Sequence, residues 1–535
     1  MSRIFRLFTF LFFFIICIVP TKAQDRSEEE KQFRKLGELI DMLDNYYVDS
    51  AQTSVVIEDA IQQILEELDP HSVYIPKKEV EATNEPLVGN FEGVGIQFNI
   101  LNDTVVIANV ISGGPSEKVG LLAGDKIIMV NDTNIAGIKI ANSDVMKKLR
   151  GNKGTKVKVE VMRSGSKKLL DFVIVRDKIP LYSVDASYMV DDKIGYIRLN
   201  KFSATTTQEM RTALNDLKSK GMKDLILDLQ NNGGGYLSAA VELSDEFLDD
   251  NKLIVYTEGF HQPKQVFTST PMGAWEEGNL VVLINESSAS ASEIVSGAIQ
   301  DWDRGLVIGR NSFGKGLVQK PFGMSDGSQV RLTVAEYFTP SGRCIQRPYD
   351  KGKKDYYSEF ERRYKSGQLM FMDSIKLPDS LQYATLKNKR KVYGGGGILP
   401  DIFVGLDTSE NSEYYSSLIR KGTFNQFSIK YLDQKRKELL KQFPDAKSFK
   451  NGFEVDKNLL DELVEEGVKE GTPLDKEGLK RSERQMKIQL KGLLARSLYT
   501  AGDYFYMTNE LNPAYVKALQ VLRSNEIKKF NVDSF

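Results

Sequence analysis

The chain is 535 residues long, 41% hydrophobic and 27% charged, the balance of soluble globular protein and length enough for several domains. Its 72 Lys and Arg nearly cancel its 73 Asp and Glu, leaving a net charge of −1, so there is no electrostatic footprint for nucleic acid. Two histidines and two cysteines offer no ligand cluster for a metal, and no metal or cofactor is expected.

Residues 1–23 read as a secretory signal peptide. Arg3 and Arg6 precede an apolar run from Leu7 to Val19, and Thr21-Lys22-Ala23 offers a small-residue cleavage site. The run is short for a membrane span. Export to the periplasm or cell envelope is therefore expected, ahead of an uncleaved membrane anchor. Cys17 lies inside the run, which leaves Cys344 alone in the mature chain and allows no intrachain disulfide.

Residues 28–86 form an N-terminal helical region. Phe33, Leu36, Leu39, Ile40, Leu43 and Tyr47 make one apolar stripe; Ile57, Ala60, Ile61, Ile64, Leu65 and Leu68 make a second. Asp69-Pro70 stops the second helix, and His71, just past the stop, is assigned a structural role.

Residues 87–178 are rich in Val, Ile and Gly, with turn signals between short strands. The string from Gly114-Pro115 through Gly124-Asp125-Lys126-Ile127-Ile128-Met129-Val130-Asn131 closely resembles a PDZ domain. Such a domain takes a peptide as an added strand and holds its terminal carboxylate on backbone amides. Gly93, Val94, Gly95 and Ile96 are placed to supply those amides, since glycine lets a backbone approach a ligand closely.

Residues 179–345 carry buried strands at Leu225–Leu229, Leu280–Ile284 and Leu306–Gly309. The first is followed by Gln230-Asn231-Asn232-Gly233-Gly234-Gly235 and a helical pattern through Leu237, Ala240, Val241, Leu243, Phe247 and Leu248. No Lys-Ser or Lys-Thr follows these glycines, so they do not make a P-loop. The second strand leads into Glu286-Ser287-Ser288-Ala289-Ser290-Ala291-Ser292-Glu293, then a helical spacing of Ile294, Val295, Ala298 and Ile299. A hydroxyl thus sits at a strand-to-helix turn, where helix amides favour an oxyanion. Phe313-Gly314-Lys315-Gly316-Leu317-Val318-Gln319 then sets a lysine between two glycines. The residues admit two readings: a serine-rich capping turn, or a Ser-Lys hydrolase, favoured because so few histidines remain for a Ser-His-Asp triad.

Residues 351–391 are polar, with interleaved basic and acidic groups, and read as a solvated insertion. Val392 to Ile402 contains Gly394-Gly395-Gly396-Gly397. Residues 407–535 form a C-terminal helical region, with stripes at Leu459, Leu460, Leu463, Val464, Val468 and at Leu490, Leu493, Leu494, Leu498. No motif in this tail indicates its role.

Ser288-Ala289-Ser290-Ala291-Ser292-Glu293-Ile294, with Phe313-Gly314-Lys315-Gly316 and Gln319, resembles the signature of the carboxyl-terminal processing (tail-specific) serine proteases. Leu68 to Tyr74 and Val392 to Ile402 also look like that family. The resemblance covers roughly residues 30–345 and 392–404. It implies Ser290 as nucleophile, Lys315 as base, 25 residues on, and Gln319 orienting the lysine. It further implies an oxyanion hole from the amides of Gly234 and Ala291. The chain departs from the family's Asp-Leu-Arg-x-Asn-Pro-Gly-Gly turn with Gln230 for Arg and Gly233 for Pro, leaving open which glycine amide points inward.

The implied architecture is multidomain, α/β and α+β. A crotonase-like protease core, residues 179–345 and 392–406, carries an inserted PDZ domain and helical regions at both ends. The implied activity is a serine endopeptidase that recognises protein or peptide substrates by their C-termini and cleaves through an acyl-enzyme. A homo-oligomer and an adaptor protein are both compatible with the chain. To act as a base Lys315 must shed its proton, which apolar surroundings favour; Phe313, Leu317 and Leu306-Val307-Ile308 are the neighbours expected to supply them. The alternatives are a non-catalytic PDZ scaffold with a protease-like domain, and an acyl-group enzyme on the same core. The intact Ser290-Lys315-Gln319 set argues against the first, and the lack of a cofactor motif against the second.

Overall fold

The computed structural model describes residues 21–111, 113–163, 165–524 and 526–530. Most of the expected signal, with Cys17, lies outside them. The chain divides into two units, Met1–Tyr74 and Ile75–Phe535.

In the first unit, α1 (Thr21–Tyr46) and α2 (Thr53–Glu66) follow the two apolar stripes, and α1 leaves Phe33, Leu36 and Leu39 exposed. Past α2, Asp69 closes a tight turn. Its Oδ1 accepts from the amides of His71 (2.7 Å) and Ser72 (2.9 Å), and its Oδ2 from the Ser72 hydroxyl at 2.5 Å. His71 is buried in this turn, as an Asp side chain bonded to its own backbone arranges.

The second unit begins with α3 (Lys77–Val88), which ends on Gly89 in the left-handed conformation. A PDZ-like sheet follows, its main path running β2-β3-β4-β5-β6 from Ile96–Leu101, Thr104–Val110, Lys126–Val130, Lys156–Met162 and Leu170–Val175. Its strands pair antiparallel and enclose a core of Val105, Ile107, Ile127, Val159 and Val161. A separate ladder joins β1 (Asn90–Gly93) to β7 (Asp177–Pro180), and helix α4 (Asn142–Leu149) precedes β5.

The central sheet of the second unit runs β8 (Val184–Met189), β9 (Ile194–Leu199), β10 (Asp224–Asp228), β13 (Asn279–Ile284), β14 (Leu306–Gly309) and a short strand at Ile402–Phe403. Only β8 pairs antiparallel. The crossovers carry α5 (Thr206–Ser219), α6 (Leu237–Asp245) and α7 (Ala291–Asp301). Strand side chains alternate between faces. Leu225, Leu227, Leu280, Val282, Ile284 and Val307 face a core that includes residues of these three helices. Ile226, Val281, Leu283, Leu306 and Ile308 face a second core with Ala514, Tyr515, Ala518, Val521 and Leu522. Those last residues belong to the helix Pro513–Arg523, so part of the C-terminal tail seals one face of the central sheet. Other tail helices, including Thr423–Gln442 and Lys476–Leu498, build their own core around Leu432, Phe449, Leu463 and Leu490.

A second, antiparallel sheet contains β11 (Leu253–Gly259), β12 (Gln262–Thr268), β15 (Leu317–Gly323) and β16 (Gln329–Phe338). Residues 351–391 are less solvated than expected. Tyr356 is 1% and Arg363 5% exposed, because Arg363 donates to the carbonyls of Ser312 (2.7 Å) and Asn311 (3.2 Å) while pairing with Glu359 at 2.7 Å.

Candidate active site

Parallel pairing explains how distant residues meet. β10, β13 and β14 are adjacent and point the same way, so the turns leaving their carboxyl ends lie side by side. Those turns are the glycine-rich stretch 229–236, the serine stretch 285–290 and the lysine loop 310–316. The first two are stitched together: Leu229 N donates to Leu283 O (2.9 Å), Ala289 N to Asn232 O (3.0 Å), and Asn285 Nδ2 to Asn231 Oδ1 (2.8 Å).

Of the three alternating serines, Ser288 and Ser292 are fully buried. Ser288 Oγ donates to Leu229 O at 2.8 Å and Ser292 Oγ to Asn232 O at 2.9 Å. Ser290 lies at the N-cap of α7 with φ 57° and ψ −112°, a left-handed backbone that is strained for a residue with a Cβ. It lines a cleft of about 510 Å³, as do Ala291, Gly234, Lys315 and Gln319. All five residues expected for catalysis and the oxyanion hole therefore meet at one cavity. The Lys315 amine donates to Gln319 Oε1 at 2.8 Å.

One expectation is corrected. The Gly234 amide is already donated to Asn232 Oδ1 at 2.9 Å, so it is not free for an oxyanion. The amides of Gly235 and Ala291 have no protein acceptor among the described residues. Gly234 is needed for closeness: its φ is +98°, and a Cβ there would come within 2.9 Å of Ser290 Cβ and 3.0 Å of Ala291 N. Gly233, by contrast, has open space around it and an ordinary φ. Its departure from proline thus costs the turn rigidity, not shape. Where the family has Arg, Gln230 Oε1 accepts from Asn512 Nδ2 at 2.6 Å. A guanidinium still comes close, from Arg198 of β9, which donates to Gln230 O (3.1 Å) and pairs with buried Asp228 at 2.6 Å.

A second expectation also shifts. Leu306-Val307-Ile308 pack inside the central sheet and do not line the cleft. The apolar wall beside half-buried Lys315 includes Leu317, Ile294 and Tyr337. Phe313 lies beneath the Arg347 guanidinium, 4.0 Å from its ring centre.

Two residues have roles here that the motifs did not reveal. Glu293, fully buried at the third position of α7, accepts four hydrogen bonds. Its Oε2 takes the amides of Ser290 (2.7 Å) and Lys315 (2.9 Å); its Oε1 takes the Ser312 hydroxyl (2.5 Å) and the Gly314 amide (2.7 Å). One carboxylate thereby pins the serine turn to the lysine loop. Burial pushes this carboxyl above its ordinary range, while the four hydrogen bonds pull it back. Tyr337 of β16 is the other. Its hydroxyl lies 2.7 Å from Lys315 O and 3.1 Å from Ser290 O, and burial holds the phenol well above its usual pKa, so it remains a donor. Acceptors this far along the chain leave no spacing to read.

The PDZ-like region has its own groove, between β2 and α4, lined by Val94, Gly95, Ile96, Phe98, Met146 and Leu149 among others. Gly93 does not line it; it is paired with Asp177 in the β1–β7 ladder. At the groove's end Arg150 stacks on Phe91 (4.8 Å) and pairs with Glu85 of α3 at 2.6 Å. Other residues of α3, Asn84, Leu87 and Val88, line the serine cleft.

Parts of the chain match known families. The model of peptidase family S41 matches residues 193–353, that of a PDZ domain residues 93–174, and a family of unknown function (DUF8443) residues 414–500. The carboxy-terminal processing protease CtpB of Bacillus subtilis (strain 168) is 36% identical over 334 residues, covering 62% of this chain and 68% of that protein. A carboxy-terminal-processing protease of Bartonella bacilliformis is 36% identical over 321 residues, covering 59% and 73%. Among solved structures, a photosystem II D1 C-terminal processing protease matches 72% of this chain and 91% of its own at 27% identity, with a TM-score of 0.36.

Proposed function

The chain belongs to peptidase family S41, the carboxy-terminal processing serine proteases, and carries a PDZ domain; from that premise we propose that it is an exported endopeptidase working through a Ser290–Lys315 pair. The observation that carries this is the shared cleft: a half-buried, left-handed Ser290 lining it at a helix N-terminus, with a lysine amine held by the neutral amide of Gln319.

In this reading the unprotonated Lys315 amine takes the Ser290 proton as Oγ attacks the substrate carbonyl. Gln319 orients the amine without adding charge. The Ala291 amide, at the positive end of α7, and the Gly235 amide stabilise the oxyanion. Lys315 then protonates the leaving amine, and water hydrolyses the acyl-enzyme by the reverse path. The PDZ groove takes the substrate's C-terminal residues as an added strand. Export rests on the apolar start of the sequence.

The test is incubation of purified protein with an unfolded substrate, with fragments read by mass spectrometry. Wild type is expected to cut and Ser290→Ala to leave the substrate whole. A second arm uses a short peptide with a free or an amidated C-terminus, since amidation removes the charge a PDZ loop binds. Cleavage by Ser290→Ala would overturn the catalytic assignment; equal turnover of both peptides would overturn the role of the PDZ groove.

A further inference from the structure

The β15–β16 hairpin supplies one wall of the serine cleft. In its register Gln319 stands opposite Thr333 and Pro321 opposite Arg331. Side chains two apart share a face, so Gln319, Pro321 and Arg331 look into the same cavity, and all three line it. Arg331 therefore stands one pleat repeat, about 7 Å, along the hairpin from the residue that holds the lysine amine.

This guanidinium has a single protein acceptor among the described residues. Buried or half-buried charges are generally paired or fully hydrogen-bonded. Arg304 donates to the carbonyls of Phe247, Gly278 and Trp275, Arg347 lies over the Phe313 and Tyr356 rings, and other arginines of the core meet carboxylates. Arg198 pairs with Asp228, Arg310 with Glu286, Arg343 with Asp301, and Arg390 with Asp303 and Asp401. Arg331 is half-buried, yet among the described residues it pairs with no carboxylate. Its one protein acceptor there is Asn84 Oδ1 at 3.2 Å. The residues lining the cleft include the guanidinium of Arg331 and the amine of Lys315, and no aspartate or glutamate. A guanidinium presents five donors in a planar fork that matches a carboxylate bidentately. Here most of that fork is unclaimed by protein and faces the substrate's space.

We propose that Arg331 is a substrate subsite for a carboxylate, set two or three residues from the bond cleaved at Ser290, and that this cleft selects acidic peptides over basic ones. The distance follows from the rise of an extended peptide, about 3.3 Å per residue. The carboxylate comes either from an Asp or Glu side chain or from a chain end close to the cleaved bond. Asn84 of α3 accepts from the guanidinium and orients it. This selection acts inside the cleft and is separate from recognition at the PDZ groove. It rests on the reading of Ser290 as nucleophile.

Internally quenched peptides test it. All share one free C-terminal sequence for the PDZ groove and differ in a single residue, Glu, Gln or Lys, scanned over three positions on each side of the cleaved bond. At one position wild type is expected to favour Glu over Gln in kcat/KM by about tenfold, the effect of one charge-assisted bidentate contact, and to disfavour Lys. In Arg331→Gln the Glu:Gln ratio falls to about one, and in Arg331→Glu the order of Glu and Lys inverts. Ratios within one variant cancel any loss of folded protein. A second arm places a free or amidated chain end two or three residues beyond the bond, in peptides without acidic side chains. Preference for the free end in that arm alone identifies the chain terminus as the source. Ser290-dependent cleavage with equal rates for Glu, Gln and Lys peptides at every position, and for both chain ends, overturns the proposal while leaving the catalytic reading intact. Cleavage that survives Ser290→Ala overturns the reading and the proposal together.

Discussion

Replacing Glu293 by Gln tests whether one buried carboxylate assembles the site. The carboxylate now satisfies four donors, two on each oxygen. A glutamine keeps one oxygen and turns the other into a donor. If its NH2 faces Ser290 and Lys315, two backbone N–H groups lose their acceptor. If it faces Ser312 and Gly314, the Ser312 hydroxyl can reverse, but the Gly314 N–H is left facing another donor. At least one buried donor is stranded in either pose, at about 1–3 kcal/mol, and the remaining bonds lose their charge assistance. The expected loss of stability is about 2–4 kcal/mol. Catalysis should suffer more, because the serine turn and the lysine loop lose their common anchor. A misplacement of about 1 Å costs on the order of 100-fold. The assay pairs urea unfolding, followed by circular dichroism, with kcat on a quenched peptide in the absence of denaturant, where the variant is folded. A Glu293→Gln protein within twofold of wild type in kcat, with an unchanged urea midpoint, would refute the reasoning.

The three serines should separate cleanly. Ser290→Ala is expected to be folded and inactive, while Ser288→Ala leaves the Asn285 N–H without its acceptor and Ser292→Ala removes one of two donors to the Asn232 carbonyl. These cost about 1–3 and about 0.5–1.5 kcal/mol of stability respectively, and both variants still cleave; a dead but stable Ser288→Ala would count against the assignment. Lys315→Arg should be inactive, since a guanidinium keeps its proton, and wild-type kcat/KM should rise with pH as the base is freed; a flat profile or an active arginine variant removes Lys315 from that role. Tyr337→Phe keeps the ring and deletes the donor shared by the Ser290 and Lys315 carbonyls, so kcat should fall about tenfold, or ~1.4 kcal/mol, with binding of a C-terminal peptide unchanged. Undiminished kcat in that variant would make the hydroxyl a bystander.

What the sequence determined by itself was whatever local pattern controls. The continuous apolar runs at Leu225–Leu229, Leu280–Ile284 and Leu306–Gly309 specify buried strands, and the switch to helical spacing after Ser290 specifies where the chain turns. Strand, turn and helix type were readable there, and the Ser290, Lys315 and Gln319 motifs named the residues that the structure gathers at one cleft. What only tertiary structure decided depends on neighbours far apart in the chain. The Gly234 amide was spent on Asn232, a matter of how one turn folds back on itself. Glu293 stood in the serine motif with no role assigned to it; the lysine loop, about 20 residues on, brings its amides to the other side of the carboxylate. Tyr356 and Arg363 sit in a stretch as polar as solvated surface, yet hydrogen-bonded carbonyls and aromatic faces of the core draw them in. The helix Pro513–Arg523 looked like an unassigned tail and closes a face of the central sheet. Arg331 differs from a surface arginine in that it is half-buried with Asn84 and no carboxylate beside it among the described residues, and that is a property of three-dimensional packing. Hydrophobic period and turn chemistry act over a few residues; hydrogen-bond partners and charge neighbours are chosen after the strands have paired.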